Sequence, residues 1–371
     1  MRAALLAWYR AQRRDLPWRR TRDPWAIWVS ETMLQQTRVE TVIPYWERFL
    51  ARFPSPAALA DAPLDDVLGL WAGLGYYGRA RNLKRAAEQV VERFAGRVPD
   101  DPEALATLPG VGRYTAGAIA SIAYDRPAPI VDGNVARVLA RLLGIREEIE
   151  RPAVRERLWQ EAAALAEGEA PGDLNQALME LGALVCVPRA PRCDACPVAD
   201  ACDARAAGDA DALPRRAPRR APKTVHAVAA LVRRRGRALA VRRPARGLLG
   251  GLWELPGGEL ASPRADGADA LVAVLAAGTG LAVRDVRPAG RIEWRFTHRT
   301  LHLRLFECAA PAGRVRLTGW DQHRWVSDAE LDALPLGTVT RRALAALRGE
   351  PAAARSGRRR WATAASEHPS S

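Results

Sequence analysis

The pattern of apolar and polar positions divides the chain into two parts. Up to about residue 208, apolar side chains recur every three or four positions, as at Val135, Val138 and Leu139, which is the spacing along one face of an α-helix. Segments rich in proline and glycine, such as residues 108–112, interrupt this pattern. We therefore expect an all-α domain over residues 1–208.

Beyond residue 223 the period changes to two. Leu301, Leu303 and Leu305 alternate with polar residues, which is typical of β-strands, and helices are predicted at 266–278 and 338–347. Residues 224–348 are therefore expected to form an α+β domain, so the chain as a whole is multidomain.

The segments outside these two domains are basic. Residues 209–223 contain a run of arginine and proline without apolar periodicity, which is typical of a stiff linker. Residues 349–371 are rich in alanine, arginine and serine and are predicted to be a disordered tail.

The charge balance indicates a polyanionic partner. Lysine and arginine number 56 against 42 acidic residues, a formal net charge of +14, which favours nucleic acid over an anionic membrane. An arginine-rich solvated surface is the alternative interpretation. The apolar run 3–8 is too short for the core of a signal peptide, and the uncharged stretch 115–124 is half a membrane span. We expect a cytoplasmic, nucleoid-associated protein that does not bind membranes.

Four of the five cysteines lie within 17 residues, after a predicted helix at 174–185. They are Cys186, Cys193, Cys196 and Cys202. In a chain without an export signal this cluster predicts a metal site rather than disulfides. The spacing alone is compatible with zinc and with an iron–sulfur cluster. The fifth cysteine, Cys308, lies in an apolar strand and is expected in the core.

Two carboxylates are candidates for acid–base chemistry. Glu31 lies among tryptophans and aliphatic residues, where desolvation raises the pKa of a carboxyl group. A glutamate on the exposed face of a helix is the alternative interpretation. Asp132 begins an apolar helix, as an ordinary N-cap does, and the helix N-terminus favours its ionised form. A protonated acid facing an ionised carboxylate is the arrangement that cleaves glycosidic bonds.

Gly110 and Gly112 lie in a turn between predicted helices at 102–107 and 113–124. Backbone N–H groups in such a turn can approach a phosphate closely, and a helix N-terminus follows. A plain interhelical turn is the alternative.

Several longer motifs occur in order and carry a family resemblance. They are WVSETMLQQTRV from Trp28, GLGYYGRARNL from Gly73, LPGVGRYTAGAI from Leu108, VDGNV from Val131 and the four-cysteine loop. The chain resembles the MutY-type adenine DNA glycosylases of the helix-hairpin-helix superfamily, densely over residues 2–205 and more loosely over 224–348. The resemblance implies a helix-hairpin-helix glycosylase domain, a 4Fe–4S cluster on the four cysteines and a Nudix-like C-terminal domain.

The resemblance also implies a reaction, the excision of adenine opposite 8-oxoguanine or guanine in double-stranded DNA by a monomeric enzyme. Glu31 matches the general acid that protonates adenine at N7, and Asp132 matches the carboxylate that stabilises the oxocarbenium-like sugar. Tyr114 and Asn134 match residues that support Asp132. The base must first be flipped from the duplex. The remaining matches concern DNA and the adenine pocket. Gln36 and Tyr76 match residues that wedge into the base stack, and Arg19, Trp18 and Leu34 match residues near the pocket.

Position 114 separates branches of the superfamily. Relatives that resemble endonuclease III have a lysine there, which forms a Schiff base and nicks the strand, whereas a phenol cannot form an imine. Tyr114 therefore predicts a monofunctional glycosylase. A thymine-specific glycosylase and a catalytically silent lesion-binding protein are the alternatives.

The C-terminal domain resembles a Nudix fold through GGLWELPGGE, which begins at Gly250. Residues 273–278 contain no carboxylate where a Nudix hydrolase holds magnesium, so hydrolysis is not expected. Phe296, Thr297 and His298 match the family's Phe-Ser-His loop, which predicts recognition of 8-oxoguanine. Threonine replaces serine in that loop, and an ordinary β-turn is the alternative.

Overall fold

The computed structural model describes residues 1–218, 221–245, 247–262 and 267–350, and the chain forms two compact units. We call them the helical unit and the sheet unit. The helical unit comprises Met1–Ala221, Arg242–Trp253 and Ala329–Gly337. The sheet unit comprises Pro222–Val241, Glu254–Asp328 and the segment that begins at Thr338. The tail predicted at 349–371 lies outside the described residues from position 351 onward.

The first 218 residues of the helical unit are built from α-helices and four short 3-10 turns. The helices are α1 (Arg2–Gln12), α2 (Pro24–Leu34), α3 (Val39–Arg52), α4 (Pro56–Ala60), α5 (Leu64–Trp71), α6 (Gly78–Phe94), α7 (Pro102–Ala106), α8 (Arg113–Tyr124), α9 (Gly133–Leu142), α10 (Pro152–Ala166), α11 (Pro171–Leu184) and α12 (Asp203–Ala206). The 3-10 turns are Pro17–Arg19, Cys193–Ala195, Ala199–Ala201 and Ala210–Ala212. Within the described residues, no helix has both the length and the apolar character needed to span a bilayer.

Several of these helices begin with the same device, a polar N-cap followed by proline. The Asp23 side chain accepts hydrogen bonds from the backbone N–H groups of Trp25 and Ala26 at the start of α2, and Asp101 caps α7 in the same way. The carboxylate satisfies N–H groups that have no partner inside the helix, and proline adopts helical φ without losing a hydrogen bond. These local signals fix where α2 and α7 begin.

The helical unit has two hydrophobic cores. The first contains Trp28, Phe49 and Trp71 and is built mainly from α2 to α8. The second contains Leu139 and Leu178 and is built from α1, α9, α10 and α11. Polar side chains of α2, α8, α9 and α11 meet in a cavity that draws on both groups of helices.

The segment expected to be a linker packs in part on the helical unit. Leu213 is buried, and its carbonyl oxygen accepts a 3.0 Å hydrogen bond from Nε of Arg141. The backbone N–H of Ile149 donates to the carbonyl oxygen of Arg215. Residues 213–215 are therefore fixed to α9 and the loop that follows it.

The sheet unit contains a mixed sheet whose main path is β3-β2-β1-β6-β5, with β4 paired to β1 and β7 paired to β2. The strands are β1 (Lys223–Arg234), β2 (Arg237–Arg242), β3 (Trp253–Glu254), β4 (Gly257–Glu259), β5 (Arg284–Arg295), β6 (Arg299–Ala309) and β7 (Gln322–Val326). β1 and β6 are parallel, whereas β5 and β6 form an antiparallel hairpin. Since β1 is central, its residues 227–232 are buried on both faces.

Two helices accompany the strands, α13 (Ala268–Thr279) and α15 (Thr338–Leu347). A third, α14 (Asp328–Ala333), belongs to the helical unit except for its first residue. Leu271 and Leu275 of α13 pack in one core with Val228 of β1 and with Phe306 and Cys308 of β6. The predicted helix at 338–347 is confirmed, and the one predicted at 266–278 is observed as α13. Cys308 is a buried core residue, as expected.

Candidate active site

Glu31 lies on a helix that is buried on every side. Residues 25–33 of α2 are all buried, and 5% of the surface of Glu31 is exposed. Burial raises the pKa of the Glu31 carboxyl from its usual 4.5 to about 7, and the charge of Asp132 adds to the rise. The alternative of an exposed helix glutamate is therefore excluded. The carboxyl group retains its proton at or just below neutral pH.

Tyr114, in the first turn of α8, contacts Glu31 rather than Asp132. Its hydroxyl donates a 2.7 Å hydrogen bond to Oε2 of Glu31, and the Sδ atom of Met179 lies 3.4 Å away. Burial and the neighbouring carboxylates raise the pKa of the Tyr114 phenol well above its usual value. Among the described residues, the carboxylate that its hydroxyl hydrogen-bonds is therefore the general-acid candidate, and the expected support of Asp132 by Tyr114 stays a prediction.

Asp132 is the N-cap of α9. Its Oδ1 atom accepts hydrogen bonds from the backbone N–H groups of Asn134 at 2.9 Å and Val135 at 2.7 Å. These bonds favour the ionised form, as expected at a helix N-terminus, but burial has the larger effect and raises the pKa of Asp132. The N-cap and functional interpretations are compatible, since Oδ2 faces away from the helix backbone bonds.

Asn134 fixes that second oxygen, as its predicted role requires. Its Nδ2 atom donates to Oδ2 of Asp132 at 3.1 Å, and its Oδ1 accepts from Nη2 of Arg137 at 2.9 Å. Arg137 also donates to the carbonyl oxygens of Gly182 and Cys186, both at 2.7 Å. A continuous chain of hydrogen bonds thus runs from Asp132 to the loop that begins at the first clustered cysteine.

Glu31, Tyr114, Asp132 and Asn134 line one cavity of about 540 Å³. A site of this size accommodates a drug-sized or nucleobase-sized group. Three other predicted residues, Trp18, Leu34 and Gln36, also line it. The cavity therefore combines a neutral acid, a hydrogen-bonded carboxylate and apolar walls, which suits protonation of a leaving group beside a developing positive charge.

Arg19 also lines this cavity, but its guanidinium group is held by the protein. Its Nη1 and Nη2 atoms donate to the two carboxylate oxygens of Glu180 at 2.9 and 2.8 Å. Its side chain is 8% exposed. Arg19 thus lies in the wall of the expected adenine pocket with its charge paired to Glu180, and a contact between Arg19 and DNA stays a prediction.

Two further predicted DNA contacts have left-handed backbone conformations. Gln36 has φ 59° and follows α2, and Tyr76 has φ 48° and is 46% exposed. Such conformations are uncommon for residues other than glycine and often mark functional positions. Gln36 lies at the cavity, whereas Tyr76 does not line it.

The two glycines of the hairpin turn have different reasons to be glycine. Gly110 has φ +78°, and a Cβ atom there would lie 2.6 Å from Cβ of Asn82. Gly112 caps α8 with an ordinary extended conformation, and a Cβ atom there would meet nothing within 4 Å. The protein's own packing therefore requires Gly110 but not Gly112, which is a favourable N-cap residue with open space beside it.

Sequence reasoning did not identify Arg79 or Glu180. Arg79 donates hydrogen bonds to the carbonyl oxygens of Thr32, Met33 and Gln35 and so caps the C-terminus of α2. Glu180 is completely buried on α11. A signal existed for Glu180, because it lies between apolar positions of a helix that faces the core.

The four clustered cysteines line a second, smaller cavity, separate from the first. Nη1 of Arg141 donates to Sγ of Cys186 at 3.2 Å, and burial raises the pKa values of Cys193 and Cys196. In the described parts of the chain, no group of three or more His, Cys, Asp or Glu side chains is placed to hold a single metal ion. The four thiols thus line one shared space.

Phe296, Thr297 and His298 form the turn of the β5–β6 hairpin. The backbone N–H of Phe296 donates to the carbonyl oxygen of Arg299 at 2.8 Å, and Thr297 and His298 are exposed. The ring of Phe296 packs edge-on against Trp294 at 6.5 Å between centroids. A β-turn is therefore observed, and Nε2 of His298 accepts a 3.2 Å hydrogen bond from Nε of Arg299.

The sheet unit carries few of the carboxylates that a Nudix hydrolase needs. α13, which occupies the corresponding region, contains a single acidic residue, Asp269. Oxygen ligands are what magnesium prefers. The described part of α13 and its neighbours thus offers no clustered carboxylates for a magnesium ion.

Comparisons with known proteins agree with these observations. Residues 29–164 match the model of the HhH-GPD superfamily of base excision DNA repair proteins, and residues 227–346 match the NUDIX domain model. The chain is 35% identical to the adenine DNA glycosylase of Homo sapiens, over 94% of this chain and 74% of that protein. It is 42% identical to the enzyme of Rattus norvegicus over 69% of this chain and 60% of that protein.

Bacterial and structural relatives add to this agreement. The adenine DNA glycosylase of Mycobacterium tuberculosis is 46% identical over 57% of this chain and 70% of that protein. The structure of a thermostable thymine-DNA glycosylase is similar with a TM-score of 0.51 and 30% identity, over 56% of this chain and 95% of that one. With its helical cavity, its hairpin turn and its Nudix-like sheet, the chain belongs to the adenine DNA glycosylase family of the HhH-GPD superfamily.

Proposed function

We propose that this protein removes adenine from double-stranded DNA by hydrolysing its N-glycosidic bond. The observation that carries the proposal is the pairing of buried, protonated Glu31 with Asp132 across one nucleobase-sized cavity. Family membership supplies the reaction class, and the cavity supplies an acid and a carboxylate in the roles that this reaction needs.

In the proposed reaction the adenine leaves the base stack and enters the cavity. Glu31 donates its proton to N7, which makes the purine a better leaving group, and Tyr114 holds the resulting carboxylate through its hydroxyl. Asp132 stabilises the positive sugar, electrostatically or through a transient covalent adduct, while Asn134 holds its Oδ2 atom in place. Water then attacks C1′ of the sugar and gives up a proton to the Glu31 carboxylate, so the products are free adenine and an abasic site, and the acid is restored.

Excision of thymine is the second candidate, and the similarity to a thymine-DNA glycosylase structure favours it. A single-turnover assay distinguishes the two. We expect base release from duplexes that hold adenine opposite 8-oxoguanine, and no release from duplexes that hold thymine opposite guanine. Release of thymine alone would overturn the proposal.

We also propose that the turn of the β5–β6 hairpin recognises 8-oxoguanine in the opposite strand. Thr297 and His298 are exposed at the tip of the turn, where hydroxyl and imidazole groups can hydrogen-bond an oxidised base. Thr297→Ala should reduce the preference for adenine opposite 8-oxoguanine over adenine opposite guanine. Thr297→Ser is the matched control, because it keeps the hydroxyl.

For the cysteine cavity we propose a 4Fe–4S cluster held by Cys186, Cys193, Cys196 and Cys202. The four thiols line one space and can supply the four thiolates that such a cluster takes, and the resemblance of the four-cysteine loop to that of the family favours iron–sulfur over zinc. When bound, the cluster would cross-link the loop between the end of α11 and the start of α12. The chain's own contribution is Arg141, whose guanidinium donates to Sγ of Cys186.

A further inference from the structure

Glu180 shares the wall of the active-site cavity with Glu31 but has no part in the reaction described above. We propose that Glu180 is a positioning residue: it holds Arg19 in the cavity wall and neutralises its charge, so that Glu31 stays a neutral acid. This inference rests on the proposed function for its effect on rate, but not for its effect on the Glu31 carboxyl group.

The geometry around Glu180 is that of a dedicated ion-pair site. The residue is completely buried on α11, and its two oxygens accept five hydrogen bonds from Arg14 and Arg19. Burial alone would raise the pKa of Glu180, but the bonds from Arg19 and Arg14 lower it to about 2. Glu180 is therefore ionised throughout the physiological range.

Arg19 needs this partner because of where it lies. Its guanidinium faces the cavity that contains Glu31, and a positive charge there favours the ionised form of Glu31. The other titratable groups around Glu31 are Tyr114, whose hydrogen bond also favours the ionised form, and Asp132, whose charge opposes it. An arginine without a carboxylate partner would therefore lower the pKa of Glu31, which would lose its proton at a lower pH.

Burying an ion pair costs desolvation free energy, and a hydrophobic pair of similar volume would pack at least as well. The Arg19–Glu180 ion pair is accordingly better explained by a need for Arg19 at the base pocket. Glu180 then keeps the shape and the donor groups of Arg19 in place and compensates its charge. Arg14 anchors the same carboxylate from a more exposed position, since its side chain is 35% exposed.

The test measures the pH at which Glu31 loses its proton, in the intact protein, in two ways. One is the high-pH limb of the single-turnover rate of adenine release. The other is the ¹³C titration of glutamate carboxyl groups by NMR, with the Glu31 signal identified by its loss in Glu31→Gln. The second readout needs no catalysis, so it separates this inference from the proposed function.

Glu180→Gln should move the Glu31 midpoint down by about one pH unit, because Arg19 is left uncompensated. Arg19→Gln should move it up, and Glu180 then keeps Arg14 as a partner, which preserves the fold. The variant that combines Arg19→Gln with Glu180→Gln has the net charge of the wild type at this site. Its Glu31 carboxyl group should titrate near the wild-type midpoint.

Asp173→Asn is the matched control, because Asp173 also lies on α11 and pairs with an arginine, Arg10 of α1, but neither residue lines the cavity. It should leave the midpoint unchanged. A Glu180→Gln variant whose rate falls equally at every pH, with an unshifted carboxyl titration, would show that Glu180 is merely structural. If Glu180→Gln does not fold, an unshifted midpoint in Arg19→Gln overturns the inference.

Discussion

The Tyr114 hydroxyl and the Glu31 carboxyl form a 2.7 Å hydrogen bond at the centre of the helical unit. The phenol remains protonated, because burial raises its pKa well above its usual value, so it donates and Glu31 accepts. This bond favours ionised Glu31, whereas burial favours the neutral acid, and burial has the larger effect. The balance sets the pH at which the acid is available.

The rate of adenine release should therefore have a bell-shaped dependence on pH. It should fall as the pH rises through about 7, where Glu31 loses its proton, and fall again in acid, where Asp132 gains one. The measurement is single-turnover release from about pH 4 to about pH 9.

Tyr114→Phe provides the control for this profile. Removing the hydrogen bond takes away a contribution that favours ionised Glu31, so the high-pH limb should move to higher pH. A limb that stays in place in this variant would show that another group controls it.

Glu31→Gln should abolish excision and stabilise the protein at alkaline pH. The pKa of Glu31 is raised on folding, so its contribution to stability is fully present below about pH 4.5 and is lost as the pH rises through about 7. At pH 8 the neutral amide should gain about 3 kcal/mol in the free energy of unfolding. Urea denaturation at about pH 4.5 and about pH 8 tests this. Equal effects at both values would contradict the pKa argument.

Asp132→Asn should abolish excision but spare the fold and most DNA binding. Asparagine caps a helix about as well as aspartate, so α9 should keep its start, whereas the variant has no negative charge to stabilise the sugar. Asp132→Ala is the comparison, because loss of the cap should cost about 1 kcal/mol more. Near-normal turnover by Asp132→Asn would contradict the proposed mechanism.

The purified protein should contain about four iron atoms and about four sulfides per chain. Cys196→Ser should lose most of this iron, because one corner of the proposed cluster is then without its thiolate. Cys308→Ser is the control, since that thiol is buried in the core of the sheet unit and should leave the iron content unchanged. Stoichiometric zinc in place of iron would refute the cluster.

Borohydride should not trap a covalent complex between the protein and its DNA substrate. A Schiff base needs an amine, and the chain has only two lysines, Lys84 and Lys223, neither of which lines the cavity. Lys84 is held by Glu88 and by two carbonyl oxygens at the end of α4. The control is a lysine-dependent glycosylase under the same conditions, and trapping of comparable efficiency here would contradict a monofunctional enzyme.

Local sequence determined the elements and the candidate carboxylates. The apolar periods of three to four and of two predicted the helical part and the strands, because they reflect which faces must be buried. The tryptophans around Glu31 indicated a buried helix beside the alternative of an exposed glutamate, and the aspartate before Gly133 indicated an N-cap. These features depend on neighbours within a few residues, which is why they are visible in the chain itself.

Tertiary structure decided which side chains act on each other. Tyr114 contacts Glu31 across 83 positions, and Arg19 contacts Glu180 across 161, so no local pattern could assign either partner. The same holds for the direction in which the pKa of Asp132 is shifted. Burial raises this pKa and outweighs the hydrogen bonds to the helix N-terminus that the local sequence does predict. Sequence fixes which groups are present and on which helix face they lie, but pKa values and ion pairs depend on distances and desolvation that exist only after the helices have packed.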